Sequence, residues 1–493
     1  MKPVFKSCLL ATATLACSMT MAFASPISSF TGGDLVIDTV SGTTLDAASP
    51  ITLQEFSLGA GGKTATSVGT FGLPQTANGA NWAISGEYGS ASEGFLTLST
   101  NKQYLTLIGY GVNASTFNSA PLATYGNAAL GQTTSLTGQS VTTVPRVVAL
   151  IGANGSVDTT TALTGVFNTN NPRSAVTVDG SSFYVSGQGA TKTDTTQGVF
   201  YAQKGATTAT AIDNSTDTRA LAISNVLTGT NTLYVSRDFN PSSSAPCMGV
   251  NANNCTNISR LSSPGGGLPT SVTTPIRVIP SVASVNGGNT GSIDLTAGLA
   301  NGVNNSRIGK FVYLSPEQYF FANPTTLYVT DSGQPKNGNA NAAALGEGGL
   351  QKWSLINGSW VLDYDLVAGL NLVNNATANS NTPTAPGVTG LFGLTGVVVG
   401  DSVELFATSY GLNELSPSFL YEITDKLSLT TIAQANANGE SFTTLFSAPS
   451  GTSIRGVAFA PTPLPATLPL LISGLGALGL LGWRRKRRST AAI

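Results

Sequence analysis

The sequence of 493 residues contains no histidine. This absence excludes the Ser-His-Asp and Cys-His arrangements that activate nucleophiles, zinc or iron held by imidazole, and imidazole acid–base chemistry. Carboxylates remain as the main bases near neutral pH, and an ordinary carboxylate is too acidic to be an efficient base without burial or a metal. Any hydrolase hypothesis for this chain therefore requires a metal-bound water.

Charged residues are scarce as well, at 10% of the chain, with 23 basic and 24 acidic residues. When Lys2, Lys6 and five basic residues near the C-terminus are set aside, 16 basic residues remain, and residues 25–460 carry a net charge of about −8. A mildly acidic, charge-poor segment offers no basic surface to a phosphate backbone. Nucleic acid is therefore not an expected partner.

The first 24 residues have the pattern of a signal peptide. Lys2 and Lys6 form its positive start, and residues 9–21 are mostly apolar or small. Residues 22–24 (Ala-Phe-Ala) form a small-x-small site of the kind that signal peptidase cuts, here before Ser25. We therefore expect an exported protein.

The chain has four cysteines. Cys8 and Cys17 fall within the signal peptide, and the alternative of Cys17 as a lipoprotein cysteine lacks a large aliphatic residue at the usual third position before it, where Thr14 stands. Cys247 and Cys255 remain after export to an oxidising compartment, where such a pair favours a structural disulfide. A two-thiol metal site is the alternative, although no further ligands lie nearby in sequence.

Residues 464–483 form an uncharged, largely apolar run that is long enough to cross a membrane as a helix. A basic cluster follows it directly and is expected to stay on the cytoplasmic side. This cluster consists of Arg484, Arg485, Lys486, Arg487 and Arg488. The sequence therefore predicts a transmembrane helix with its preceding domain outside.

The tail as a whole, residues 461–493, resembles the PEP-CTERM sorting signal of Gram-negative bacteria. The resemblance rests on the short motif Pro463, Leu464 and Pro465, the glycine-rich apolar helix and the arginine-rich end. It implies that an exosortase in the inner membrane recognises the motif, removes the helix and delivers the protein to the cell surface or an exopolysaccharide matrix. The family motif has Glu where Leu464 stands, so this is the Leu variant and the cleavage position is not fixed. A plain single-span anchor is the alternative.

Residues 25–460 have a β pattern throughout, with short runs of Val, Leu, Phe, Tyr and Thr separated by Gly, Asn, Asp and Pro. One apolar strand recurs in four copies, at residues 183–186, 233–236, 327–330 and 405–408. A partner strand opened by arginine often comes before it, at residues 173–178, 219–223, 307–312 and 455–459. The dipeptide Asn357-Gly358 supplies the positive φ angles of a type I′ turn and predicts a hairpin.

Antiparallel strands that recur about every 40 to 50 residues predict a β-propeller. Anchor strands near positions 53, 105, 183, 233, 280, 327 and 405 give seven blades, although the one near 280 is inferred from spacing alone. Six or eight blades are the alternatives, and two β-sandwich domains or a β-solenoid are the alternative folds. The strand at 455–459 has no blade after it, so we expect it to complete the first blade and close the ring.

Acidic residues offer the remaining catalytic hypothesis, a Ca²⁺-type site at the channel. Asp238 and Asp331 follow equivalent repeat strands, and Glu93 and Asp401 are further candidates. The alternative is that these acids are solvated turn residues. The repeated arginines have two interpretations as well, an anion site or hydrogen bonds to backbone carbonyls between blades.

These patterns predict an exported, all-β protein of the cell surface or extracellular matrix. We expect it to act as a binding or structural component linked to exopolysaccharide, with signal peptidase and an exosortase as processing partners and the membrane as a transient location. The alternative is a metal-dependent hydrolase or lactonase on the same scaffold, which would need Ca²⁺ or a similar ion. Otherwise no cofactor and no catalytic residue is predicted.

Overall fold

The computed structural model describes residues 25–90, 92–127, 129–191, 193–237, 257–263, 266–278, 292–293, 312–313, 316–333, 348–372, 387–411 and 416–463. These residues form an all-β fold with few helices, as predicted. Six antiparallel sheets follow one another along the chain and make a six-bladed β-propeller.

The strands are numbered in chain order, and all strands of the first three blades except β28 precede residue 214. Blade 1 contains β1 (Leu35–Ser41), β3 (Thr52–Leu58), β4 (Ala65–Gly72) and β28 (Thr452–Phe459). Blade 2 contains β2 (Ala47–Pro50), β5 (Ser85–Tyr88), β6 (Thr97–Leu98), β7 (Tyr104–Tyr110), β8 (Arg146–Gly152) and β9 (Val157–Leu163). Blade 3 contains β10 (Pro172–Val176), β11 (Ser182–Gly187), β12 (Gly198–Gln203) and β13 (Thr210–Asp213).

The other three blades have four strands each. Blade 4 contains β14 (Leu221–Ser224), β15 (Thr232–Arg237), β16 (Asn257–Leu261) and β17 (Ile276–Arg277). Blade 5 contains β20 (Pro316–Asn323), β21 (Thr326–Asp331), β22 (Gly349–Ile356) and β23 (Ser359–Leu366). Blade 6 contains β24 (Val388–Val399), β25 (Ser402–Gly411), β26 (Phe419–Lys426) and β27 (Thr443–Ser447).

A few short elements lie outside the blades. Strands β18 (Ser292–Ile293) and β19 (Val312–Tyr313) pair only with each other among the described residues. The helices are α1 (Ala114–Ser119), α2 (Leu122–Tyr125) and α3 (Ile432–Ala437), with a 3₁₀ turn at Ala60–Gly62.

The prediction of seven blades is wrong, because the described strands form six blades, and the anchor inferred near position 280 lies outside the described residues. Strand β17, which ends at Arg277, is the outermost strand of blade 4. The next blade begins at Pro316, so the intervening stretch is long enough to imitate a repeat by length alone. The other anchors fall in β3, β7, β11, β15, β21 and β25, one in each blade.

The predicted ring closure is confirmed. Strand β28 pairs antiparallel with β1, with Val36 opposite Ala458 and Val40 opposite Ser453. The last strand of the propeller therefore completes the first sheet and covers an edge that would otherwise be unpaired. Because β28 ends at Phe459, the ring is complete before Pro463 is reached.

The structure describes three of the four predicted strands that open with arginine. Two of them correspond to β10 and β14, which are the axial (innermost) strands of blades 3 and 4 and precede the repeat strand. The third is β28. In blade 5 the prediction fails, because the axial strand is β20, where Glu317 takes the place expected for arginine, and Arg307 lies outside the described residues.

The predicted hairpin at Asn357 is confirmed, with φ angles of 50° there and 80° at Gly358 between β22 and β23.

A hydroxyl in the second strand joins each of five blades to the next. In every case the side chain donates a hydrogen bond to a backbone carbonyl at the axial strand of the following blade. The pairs are Thr106 to Ala175 (2.8 Å), Ser186 to Arg219, Ser236 to Glu317 (2.6 Å), Thr330 to Phe392 (2.7 Å) and Thr408 to Arg455 (2.6 Å). The serine or threonine that ends the repeated sequence is therefore a link between blades.

Candidate functional site

Aromatic side chains divide the central channel into two ends. Phe95 from blade 2 and Phe392 from blade 6 reach past blade 1 and stack with ring centroids 4.1 Å apart. Ala220 and Tyr319 pack in the same buried cluster. Charged residues cluster at the end of the channel where the axial strands begin. An open cavity lies at the opposite end, where the axial strands finish.

The charged end contains paired arginines. Arg173 in blade 3 lies 2.5 Å from the carboxylate of Asp217 and also donates to the carbonyl of Thr218, before blade 4. Arg219 lies 2.7 Å from Glu317 of blade 5. Each of these predicted arginines is thus held by the blade that follows it, through carboxylates as well as carbonyls.

A buried acidic cluster surrounds the predicted arginine Arg455. The backbone N–H of Gly456 donates to Asp38 at 2.6 Å, and the hydroxyl of Tyr110 donates to Glu93 at 2.9 Å. The backbone N–H of Glu87 donates to the other carboxylate oxygen of Glu93 at 2.6 Å. The guanidinium of Arg455 in blade 1 donates to the carbonyl of Glu87 in blade 2 at 3.4 Å, so the cluster ties the two blades together.

Burial raises the pKa values of these acids into the neutral range. It raises the pKa of Asp38 to about 8, although the N–H of Gly456 and the charge of Arg455 oppose the shift. Burial and then the neighbouring Glu93 raise the pKa of Glu87 to about 8, and burial raises the pKa of Glu93 to about 7. At pH 7 the cluster can thus hold protons, so fewer negative charges face the guanidinium groups of Arg455 and Arg146.

Among the described residues, the acids predicted as metal ligands do not form one group. Asp331 is buried and accepts hydrogen bonds from the side chain of Gln351 at 2.7 Å and the N–H of Gly333 at 2.9 Å. Asp401 lies in the exposed turn between β24 and β25, at the other end of the channel from Glu93. Asp238 lies outside the described residues. No group of three or more acidic or cysteine side chains in the described ranges is arranged to hold a metal ion.

The cavity at the other end has a volume of about 910 Å³. It is formed mainly where the axial strands end, and its wall combines aliphatic and aromatic side chains with hydroxyls and amides. Examples from the different blades are Leu98, Thr177, Ile223, Phe320, Thr395 and Phe459. Such a volume and composition are typical of a small-ligand site.

Charge on the cavity wall is limited to two of the described residues, Lys102 and Glu404. Thr100 and Asn225 stand exposed at its rim, where they can bond to a ligand, and Phe320 and Phe459 are half-buried. The cavity therefore suits an uncharged ligand that has both apolar and hydroxyl-bearing faces.

Sequence analysis did not identify this cavity. Its wall comes from strands spread between residues 33 and 462, and no local pattern marks residues that meet only when the ring closes. One indirect signal was available in the sequence. The arginines mark where the axial strands begin, and the cavity lies at the opposite ends of these strands.

The structure also contains an unpredicted buried polar cluster between blades 5 and 6. The ammonium of Lys352 lies 2.7 Å from the carboxylate of Asp425 and 3.0 Å from the hydroxyl of Tyr364. Tyr328 and Tyr364 both donate to Asp425, and burial, followed by a hydrogen bond with Asp425, raises the pKa of Glu440 to about 8. Because Lys352 and Asp425 are fully buried, the cluster serves as a cross-link within the protein.

The processing signals lie largely beyond the described residues. Pro463 is exposed, whereas Leu464, Pro465 and the basic cluster at 484–488 are not described, and neither are residues 1–24, Cys247 and Cys255. None of the helices in the described ranges is both long and apolar enough to cross a membrane. The roles of the undescribed signal peptide, sorting tail and cysteines stay predictions.

The fold and the cavity define the class of this protein, a six-bladed β-propeller with an open site at one end of its channel. No protein-family model and no curated protein matches its sequence.

Proposed function

We propose that this protein is an exported component of the cell surface or extracellular matrix that binds an uncharged ligand in the cavity of its propeller. The observation that carries the proposal is the cavity of about 910 Å³, whose described wall holds only Lys102 and Glu404 as charged residues. A polyanion would need several cations there. A neutral segment of exopolysaccharide fits better, because sugar rings present apolar C–H faces and hydroxyls together.

The geometry of ring closure supports the sorting part of the proposal. The final strand ends at Phe459, and the predicted signal begins after it. An exosortase could therefore remove residues 464–493 without taking a strand from the propeller. We expect the secreted protein to lack residues 470–493, and replacement of Pro463 and Pro465 to leave full-length chain in the inner membrane.

Intact-mass measurement of the secreted protein tests this part. A secreted form that still carries Arg484 to Arg488 contradicts exosortase processing. A form that is retained in the membrane regardless of the prolines favours the plain anchor.

Binding is tested by filling the cavity. Ala222 and Thr395 are half-buried residues of its wall, so Ala222→Trp and Thr395→Trp place bulky side chains inside it. Ala190→Trp is the matched control, because Ala190 is exposed in the loop between β11 and β12 at the charged end. Titration calorimetry with neutral and anionic matrix polysaccharides measures the effect.

We expect the neutral polysaccharide to bind the wild-type protein and the control, and both cavity variants to lose that binding while their circular dichroism is unchanged. Unaltered binding by the two cavity variants contradicts the proposed site. Preference for the anionic polymer, abolished by salt, contradicts the proposed ligand class.

A further inference from the structure

The chain leaves the propeller at the rim of the cavity. After β28, the backbone N–H and the hydroxyl of Thr462 both donate to the carbonyl of Lys102, at 2.7 and 3.0 Å. Thr462 and Lys102 are residues of the cavity wall. The uncharged run begins two residues later, at position 464, and two extended residues span only about 7 Å. Whatever receives that run must therefore lie close to this rim.

Exposed apolar side chains lie on the same rim. Val397, Val398 and Val399 end strand β24 and have exposed fractions of 39%, 39% and 51%. Val397 and Val398 also belong to the cavity wall. Strand β24 is the axial strand of blade 6 and packs beside β28, whose continuation is the tail. The three valines and the tail exit thus share one side of the molecule.

We propose that this rim is a membrane-facing surface, at which Val397, Val398 and Val399 contact the lipid bilayer while the tail is anchored in it. The proposal rests on the prediction that residues 464–483 enter a membrane, and it goes beyond the ligand-binding function. A tether this short holds the rim at the interface, where exposed apolar side chains gain from leaving water. The described charges nearest the valines are of both signs: Glu404 pairs opposite Val397, Asp401 lies in the turn after Val399, and Lys63 and Lys102 lie in neighbouring turns.

This orientation has a consequence for the cavity. Its mouth faces the membrane in the anchored form and becomes accessible to large matrix ligands when the tail is removed. The opposite, charged end of the channel faces away from the bilayer in both forms.

Site-specific fluorescence on the full chain, reconstituted in vesicles of phosphatidylethanolamine and phosphatidylglycerol, tests the proposal. An environment-sensitive dye is attached to cysteine at one position at a time, in a background in which Cys8, Cys17, Cys247 and Cys255 are all replaced by serine. Val398→Cys reports on the rim, Ala190→Cys on the far end, and Ser473→Cys on the tail itself. Lipids that carry a nitroxide quencher reveal which dyes approach the bilayer.

We expect a blue-shifted emission and strong quenching at positions 398 and 473, with neither effect at 190. A second substitution, Val399→Glu, should reduce quenching at 398 and leave 473 unchanged. Quenching at 473 without quenching at 398 overturns the docking surface and leaves the anchor intact. Absence of quenching at both positions overturns the anchor and the surface together. Cavity binding by the tail-free protein is measured separately, so its failure is distinguishable from either result.

Discussion

Asp38→Asn should make the stability of the protein less dependent on pH between about pH 4 and pH 8. Asp38 is 1% exposed, and its pKa is raised from 3.8 to about 8, mainly by burial. Between these two values the folded protein keeps a proton that the unfolded chain has released, so stability falls as pH rises through this window. A difference of about four pKa units corresponds to roughly 5 kcal/mol, or about 1.4 kcal/mol for each pH unit.

Asparagine removes this loss because it stays neutral, while its carbonyl can still accept the N–H of Gly456. Urea denaturation at intervals from pH 5 to pH 8 measures the effect. The free energy of unfolding of the variant should fall less steeply with pH than that of the wild type. Some slope should remain, since Glu87 and Glu93 also have raised pKa values.

Asp179→Asn is the control, because Asp179 is exposed and its pKa is lowered by hydrogen bonds from Ser181. Its stabilising effect is already complete above pH 5, so the slope of this variant should match the wild type. Equal slopes for wild type and Asp38→Asn would refute the account of a buried, protonated Asp38.

Two further predictions concern stability, and a third concerns the disulfide. Lys352→Met leaves a buried carboxylate without its cation and should reduce the free energy of unfolding, measured by urea denaturation, by about 3 to 5 kcal/mol. Lys204→Met is the control, because Lys204 is 45% exposed in its ion pair, and it should cost less than about 1 kcal/mol. Thr408→Val removes a hydroxyl link between blades and should cost about 1 to 3 kcal/mol in the same assay; no loss would contradict the linking role. Cys247 and Cys255 should resist alkylation in protein isolated without reductant, and full labelling of both would refute the predicted disulfide.

Local sequence patterns predicted the strands because each pattern acts within one hairpin. The positive φ angles at Asn357 and Gly358 come from a two-residue turn, and the short apolar runs of β11 and β15 each fit one buried strand. Ring closure was also predictable, since an unpaired strand near the end of a repeat array needs a partner at its beginning. The turn was predictable because it depends on local backbone geometry, and ring closure was predictable because it depends on a repeated sequence.

The number of blades could not be predicted from the distances between repeats alone. Length alone does not distinguish a blade from a long connection, and the stretch between Arg277 and Pro316 supplied enough residues for either. The axial strand of blade 5 was misassigned for a related reason. Glu317 occupies the position that arginine holds in blades 3 and 4, because it is the partner of Arg219.

The cavity and the buried cation could not be predicted because they depend on contacts between distant segments. Lys352 and Asp425 are 73 residues apart in sequence and meet only when blades 5 and 6 pack together. Thr97, Ile223 and Thr395 line one cavity although three different blades supply them. Neither arrangement leaves a periodic signal along the chain.

The central claim is that the ligand binds at the cavity end of the channel, and hydrogen–deuterium exchange of the tail-free protein with and without a neutral matrix polysaccharide tests it most directly. We predict that the ligand slows exchange in peptides covering residues 95–100, 221–226 and 394–399, where the axial strands line the cavity. Peptides covering residues 213–219, at the charged end, should exchange at the same rate in both samples. Slower exchange at 213–219 with no change around the cavity would contradict the account.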